Sequence, residues 1–140
     1  MNKCVELNAK HSIEIAESLS KELGKHEQVT IDIEQHIHAG VYSRTAFVPA
    51  GIIIAGVEIC IDTTLILSGN IDMLTVDGWV NFDGYNILEA PAGRKQIFSA
   101  KTDTYITMIF KTDKTTFSDA ENEFTNEARL LQTRTMTGGS

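Results

Sequence analysis

The chain has 140 residues, 42% of them hydrophobic, and a formal net charge of −7, which suits one ordinary globular domain and excludes a wholly disordered chain. Its 12 Lys and Arg are scattered along an acidic chain, which leaves no basic face for a nucleic acid. The most apolar stretch, Phe47 to Ile61, is interrupted by Pro49, Gly51, Gly56 and Glu58. It falls short of the roughly 20 residues that cross a bilayer as a helix, and Met1 to Glu6 lacks a signal-peptide core.

In chain order, the first segment reads as a helix. Ser12 is its expected N-cap, Ile15, Leu19 and Leu23 form one stripe, and Gly24 ends it. From Val29 onward the pattern becomes short β-rich runs with turn punctuation. Val29 to Ile33 alternates with period two, and Val41 to Val48 runs into a Pro49-Ala50-Gly51 turn. Ile52 to Ile61 follows as a strand, then Thr63 to Leu67 and Ile71 to Val76, with Ser68-Gly69-Asn70 expected as the turn between the last two. Asp77-Gly78 is the strongest hairpin signal, leading into Trp79 to Phe82. Asp83-Gly84 is expected to turn again before Tyr85 to Leu88, and Pro91-Ala92-Gly93 before Gln96 to Ser99 and Thr104 to Phe110. Short strands at regular spacing with no helix between them predict an antiparallel barrel or jelly roll. Ser118-Asp119-Ala120-Glu121 reads as a capping box for a C-terminal helix, with Phe124, Ala128 and Leu131 as its apolar stripe. The expected division is a helical segment at 1–28, a barrel at 29–112, and a helix with a loose tail at 113–140.

Two strings carry a family resemblance. Gly51 to Gly69 has the length of the first cupin motif, with Asp62 where that motif has Glu. Asp83-Gly84 to Gln96 resembles the second motif through Pro91-Ala92-Gly93, with one extra residue after Gly84 and with Gln96 in the place of its His. Gly40-Val41-Tyr42-Ser43-Arg44, Pro49-Ala50-Gly51, Leu67-Ser68-Gly69 and Pro91-Ala92-Gly93 also resemble small cupin-like proteins encoded by bacteriophages, as do the flanking helices. The resemblance implies a mainly β fold, a cupin-like double-stranded β-helix (jelly-roll barrel) with an N-terminal and a C-terminal helix. It further implies a phage-encoded protein in the host cytoplasm, with the virion as a second candidate location.

Cupins hold their metal with inward-pointing histidines, and imidazole with carboxylate suits such a site. Here no His occurs after His38, and the window for His-x-His reads Ala55 to Asp62. Period two would put Glu58, Cys60 and Asp62 on one face and Val57, Ile59 and Ile61 on the other. A polar face turned inward would offer Glu58, Asp62 and Gln96 as an unusual metal site. Isolated buried carboxylates are costly, so the aliphatic face is expected inside and no metal or other cofactor is expected in stoichiometric amount. Cys4 and Cys60 form no CxxC pair and are expected as free thiols.

The candidate small-molecule site is one barrel mouth lined by Glu34, His36, His38, Tyr42 and Arg44, with Tyr42 and Arg44 expected on the face of His38. A nucleophilic triad lacks a positioned His, and no phosphate-cradling glycine loop is present, so the residues point away from catalysis. The leading expectation is a non-enzymatic structural or interaction module. Its partners would be itself, as a dimer or trimer, and other phage virion proteins, with no nucleic acid and no membrane. The oligomer follows from an apolar supply (Ile52, Ile53, Ile54, Ile87, Leu88, Ile106, Met108, Ile109) of which alternation sends half outward. The alternative is a small-molecule-binding or isomerase-like cupin working at the mouth near His36 and Tyr42.

Overall fold

In the computed structural model the described residues run from 30 to 134. The expected N-terminal helix and Cys4 lie outside them, as does the tail beyond Arg134. Seven strands follow in order: β1 (Asp32–His38), β2 (Val41–Val48), β3 (Ile53–Ala55), β4 (Thr63–Thr75), β5 (Gly78–Ala90), β6 (Ile97–Ala100) and β7 (Thr104–Lys111). Helix α1 (Phe117–Phe124) and a short 3-10 turn (Ala128–Leu130) follow the strands, and residues 132–134 are again helical. All pairings are antiparallel. The strands form one curled sheet in the order β1-β2-β7-β4-β6-β3, with β5 on the other side of β4.

β1 and β2 are joined by Ala39-Gly40, both at positive φ (54° and 74°), the backbone of a two-residue hairpin loop. The hairpin that Asp77-Gly78 signals is present, displaced by one residue: Thr75 pairs with Gly78 across a Val76-Asp77 loop, and the Thr75 hydroxyl donates to the Gly78 carbonyl at 2.8 Å.

Two expected turns are absent. Ser68-Gly69-Asn70 and Asp83-Gly84 lie inside continuous strands, and Gly69 faces Gly84 in the register. The glycines mark a bend rather than a reversal, because there β4 exchanges its second neighbour. Thr64 to Ser68 pair with β7, and Ile71 to Met73 pair with β6.

The expected strand Ile52 to Ile61 contracts to Ile53–Ala55, with an isolated bridge between Ile59 and Arg94. Its later amides alternate between the stretch before β6, where Gly56 and Ile59 N–H donate to the Gln96 and Arg94 carbonyls, and the C-terminal segment. Glu58 N–H donates to the Glu127 carboxylate (2.8 Å) and Cys60 N–H to the Phe124 carbonyl (2.8 Å).

Alternation builds the core as the strand period requires. Leu65, Leu67, Ile71 and Met73 of β4 meet Phe82 and Leu88 of β5, Phe98 of β6, and Ile106, Met108 and Phe110 of β7. Each such burial contributes about 1.5–3 kcal/mol. Val57, Ile59 and Ile61 pack against this cluster, so the aliphatic face of the 57–62 segment is the inner one. The C-terminal stripe is also buried: Ala120, Phe124, Ala128 and Leu131 close one end of the core. The helix start differs from the capping-box expectation. Thr116 is the N-cap, its side chain accepting from Asp119 N–H, and Glu121 turns inward to meet arginines.

Candidate functional site

The residues expected to line one mouth divide between two faces. In the β1–β2 register His36 faces Ser43, His38 faces Val41, Ile37 faces Tyr42 and Gln35 faces Arg44. Directly opposed residues share a face. Glu34, His36 and His38 are therefore exposed on the outside, while Tyr42 and Arg44 point inward. The expected sharing of a face by Tyr42, Arg44 and His38 is corrected accordingly: a two-residue hairpin loop pairs residue 38 with 41, and so 37 with 42. Outside, the His36 Nε2 lies 3.1 Å from the Glu34 carboxylate.

Inside, Tyr42 is fully buried. Its hydroxyl donates to Gln35 Oε1 at 2.6 Å, and its ring packs on Phe110 (5.0 Å between centroids) and Phe124 (5.9 Å). Burial pushes the phenol pKa above its ordinary value, against the pull of Arg44. Arg44 sits over the Phe124 ring and reaches Glu121 at 3.3 Å. On its other oxygen Glu121 accepts from Arg134 Nε at 2.7 Å, and the Thr133 hydroxyl donates to it as well. Glu121, only 3% exposed, is thus a buried carboxylate held by two guanidinium groups. Removing one partner of such an arrangement leaves an uncompensated charge and costs about 3–5 kcal/mol. The network fastens the C-terminal segment across the end of the barrel. Its carboxylate is already engaged on both oxygens.

The other polar interior feature is Arg94, 1% exposed. Its guanidinium donates to the Pro91 (2.9 Å), Ala90 (3.1 Å) and Ile61 (3.3 Å) carbonyls, to the Thr63 hydroxyl (2.6 Å) and to Gln96 Oε1 (3.3 Å). Burial lowers its pKa to about 10, with Asp62 pulling the other way, so it remains a cation at neutral pH. Among the described residues it makes no ion pair.

A cupin-type metal site does not fit these side chains. Gln96, in the place of the second-motif His, is buried against Met73 Sδ (3.2 Å) and accepts from a cation. Asp62 is exposed, its carboxylate accepting from Ala92 N–H at 2.7 Å, and the Cys60 thiol turns to the Glu123 carbonyl. The set Glu58, Asp62 and Gln96 is therefore not assembled, because Asp62 caps a surface turn while Gln96 faces the core. Among the described residues no three His, Cys, Asp or Glu side chains come together as a ligand set. The space bordered by Leu65, Met73, Leu88, Ala90, Pro91 and Gln96 is about 10 Å³, room for a single water.

Sequence reasoning missed Glu121, Arg94 and Arg134. The signal for Glu121 was its spacing from Phe124 and Ala128, which puts it on the apolar side of the helix. For Arg94 it was period two with Gln96 and the core residue Phe98. Nothing in the local pattern singles out Arg134.

The outer face of the sheet carries an apolar strip among polar side chains. Successive rows across β2, β7, β4 and β5 read Phe47, Tyr105, Ser68, Tyr85 and then Thr45, Thr107, Ile66, Ile87. Tyr85, Ile87 and Tyr105 are 66%, 61% and 52% exposed. The apolar supply divides as alternation requires: Ile53 and Ile87 are exposed, whereas Leu88, Ile106 and Met108 are buried. Among the described residues no helix is long and apolar enough to cross a membrane.

No protein-family model and no curated protein matches the chain. Solved structures do. A salicylate 1,2-dioxygenase from Pseudaminobacter salicylatoxidans superposes at a TM-score of 0.51 with 11% identity, over 72% of this chain and 32% of that one. A cupin superfamily protein from Desulfitobacterium hafniense gives 0.48 with 15% identity, over 63% and 83%. An RmlC-like cupin from Desulfovibrio desulfuricans gives 0.47 with 17% identity, over 61% and 90%. At such identities the likeness concerns architecture and not chemistry. The curled antiparallel sheet, its bent β4–β5 hairpin and its single apolar interior give this chain the cupin fold.

Proposed function

We propose that the protein is a non-catalytic cupin-fold interaction module that associates with copies of itself through the outer face of β2, β7, β4 and β5. The observation that carries this reading is an exposed apolar face over an occupied interior. A strip holding Phe47, Tyr85, Ile87 and Tyr105 is of the kind that marks contact surfaces on soluble proteins. Among the described residues, the interior behind it holds core side chains and the Arg94 guanidinium. A second copy is the fitting occupant, because an apolar strip with few charges can bury itself against the same strip or a neighbouring part of it on another copy. A dimer or trimer is the assembly this supports. The resemblance to small phage-encoded chains supports a phage accessory protein of the host cytoplasm or the virion, and mass spectrometry of purified particles tests that part directly. The small-molecule alternative loses its motivation with the division of Glu34, His36, His38, Tyr42 and Arg44 between two faces.

Light scattering at micromolar concentration should return a dimer or trimer mass for the wild-type chain. Tyr85→Lys/Ile87→Lys, which changes only exposed side chains, should return a monomer with unchanged circular dichroism. A monomeric wild type, or a double variant that keeps the assembly, would overturn the proposed face.

A further inference from the structure

One exposed cluster, at the edge of the sheet beside the proposed interface, has no part in the core or in the Glu121 network. Glu34, His36 and His38 project from the same outer face of β1, and the His36 and Glu34 side chains are 63% and 73% exposed. We propose that His36 and His38 form a chelate for a borderline divalent cation such as zinc, on the surface of β1, with Glu34 orienting the His36 ring.

Three features carry the inference. Residues two apart on one strand have Cα atoms about 6.6 Å apart. Two imidazoles leaning toward each other can therefore bring nitrogens to the roughly 2.0–2.1 Å that zinc requires. Next, the Glu34 carboxylate can only accept a hydrogen bond, so in the neutral ring it favours the tautomer with the proton on the His36 Nε2. The lone pair is then on Nδ1, the tautomer a metal needs. A carboxylate on the other ring nitrogen of a ligating His raises its basicity and fixes its ring.

Last, the backbone beneath is held in place. His36 and His38 are paired with Ser43 and Val41, and the hairpin closes at Ala39 with φ of 54°. An alanine enters that region only when the surrounding structure imposes it. The charges on this face favour a cation, with Asp32 and Glu34 on β1 itself and Lys111 two strands away across Val41. Remaining coordination positions are open to water. A surface site of two imidazoles exchanges readily, so it is compatible with a chain isolated without stoichiometric metal. It is also separate from the barrel interior, where the residues do not fit a metal.

The experiment is calorimetric titration of the full chain with zinc chloride at neutral pH in a chelator-free buffer. The expected result is saturable uptake of about one zinc per chain. His36→Ala or His38→Ala should weaken it at least tenfold, and Glu34→Gln by roughly tenfold. His11→Ala/His26→Ala, which removes the chain's other two histidines, should leave it unchanged. All the altered β1 side chains are exposed, so circular dichroism should be the same in every variant. No saturable uptake, or uptake that survives His36→Ala/His38→Ala, would overturn the proposal. So would uptake abolished by His11→Ala/His26→Ala. The assembly mass of the zinc-free protein is a separate readout, so failure here leaves the interface untouched, and the converse holds.

Discussion

Gly69→Ala is expected to destabilise the protein by about 4 kcal/mol, whereas Gly84→Ala, directly opposite it, should cost about 1 kcal/mol. A Cβ at residue 69 would stand 2.4 Å from the Thr104 hydroxyl and 2.9 Å from both the Asp103 carbonyl and the Thr104 Cα. Two of these are backbone atoms. The third belongs to a fully buried side chain whose hydroxyl already donates to the Thr102 carbonyl at 2.9 Å. Nothing there can move cheaply, so overpacking contributes about 1–3 kcal/mol. The φ of 142° is closed to an L side chain and adds about 1–3 kcal/mol. At Gly84 only the backbone matters: φ is 83° and a Cβ would meet nothing within 4 Å, which leaves the left-handed penalty of about 1–2 kcal/mol. Urea unfolding of the two variants checks this. Equal losses would show that close packing against β7's first residues is not what requires the glycine.

Arg94→Leu should lower stability by about 3 kcal/mol. Two effects oppose each other. Leucine relieves the fold of a dehydrated cation, a saving of a few kcal/mol. Against this, the Ile61, Ala90 and Pro91 carbonyls, the Thr63 hydroxyl and Gln96 Oε1 all lose their donor. Buried acceptors left unmet cost about 1–3 kcal/mol each, and the three whose bonds are fully buried, the Ala90 carbonyl, the Thr63 hydroxyl and Gln96 Oε1, outweigh one dehydrated guanidinium. The shift of the urea midpoint measures the balance. A leucine variant as stable as the wild type would mean that the charge penalty wins.

Period two was legible in the sequence because it is set by the strand itself. It put Val57, Ile59 and Ile61 on the inner side of their segment, and Asp77-Gly78 marked the β4–β5 hairpin to within one residue. Gly69 and Gly84 were misread for a physical reason: glycine serves equally where a chain reverses and where one strand passes close to another. Only the position of Thr104 separates the two cases, and that is a contact across 35 residues. The mouth was misread because the phase of β2 relative to β1 depends on loop length, and Ala39-Gly40 as a two-residue loop inverts the pairing expected for Tyr42. Glu121 was assigned to a cap because Thr116, two residues before Ser118, competes for the same role. Its true partner, Arg44, is remote in the chain.

That remoteness has a consequence for synthesis. Arg44 and Glu121 are 77 residues apart, so at about 5–20 residues per second the ribosome exposes the guanidinium roughly 4–15 s before its carboxylate exists. Until then dehydrating Arg44 costs several kcal/mol with no anion to offset it. The β1–β2 hairpin therefore has reason to stay hydrated, while the β4–β5 hairpin, whose contacts are local, can form at once. Ribosome-bound chains stalled before Phe117 are expected to protect β4 and β5 amides from hydrogen exchange and to leave β1 and β2 unprotected. Equal protection of both hairpins would show that the barrel closes without its final segment.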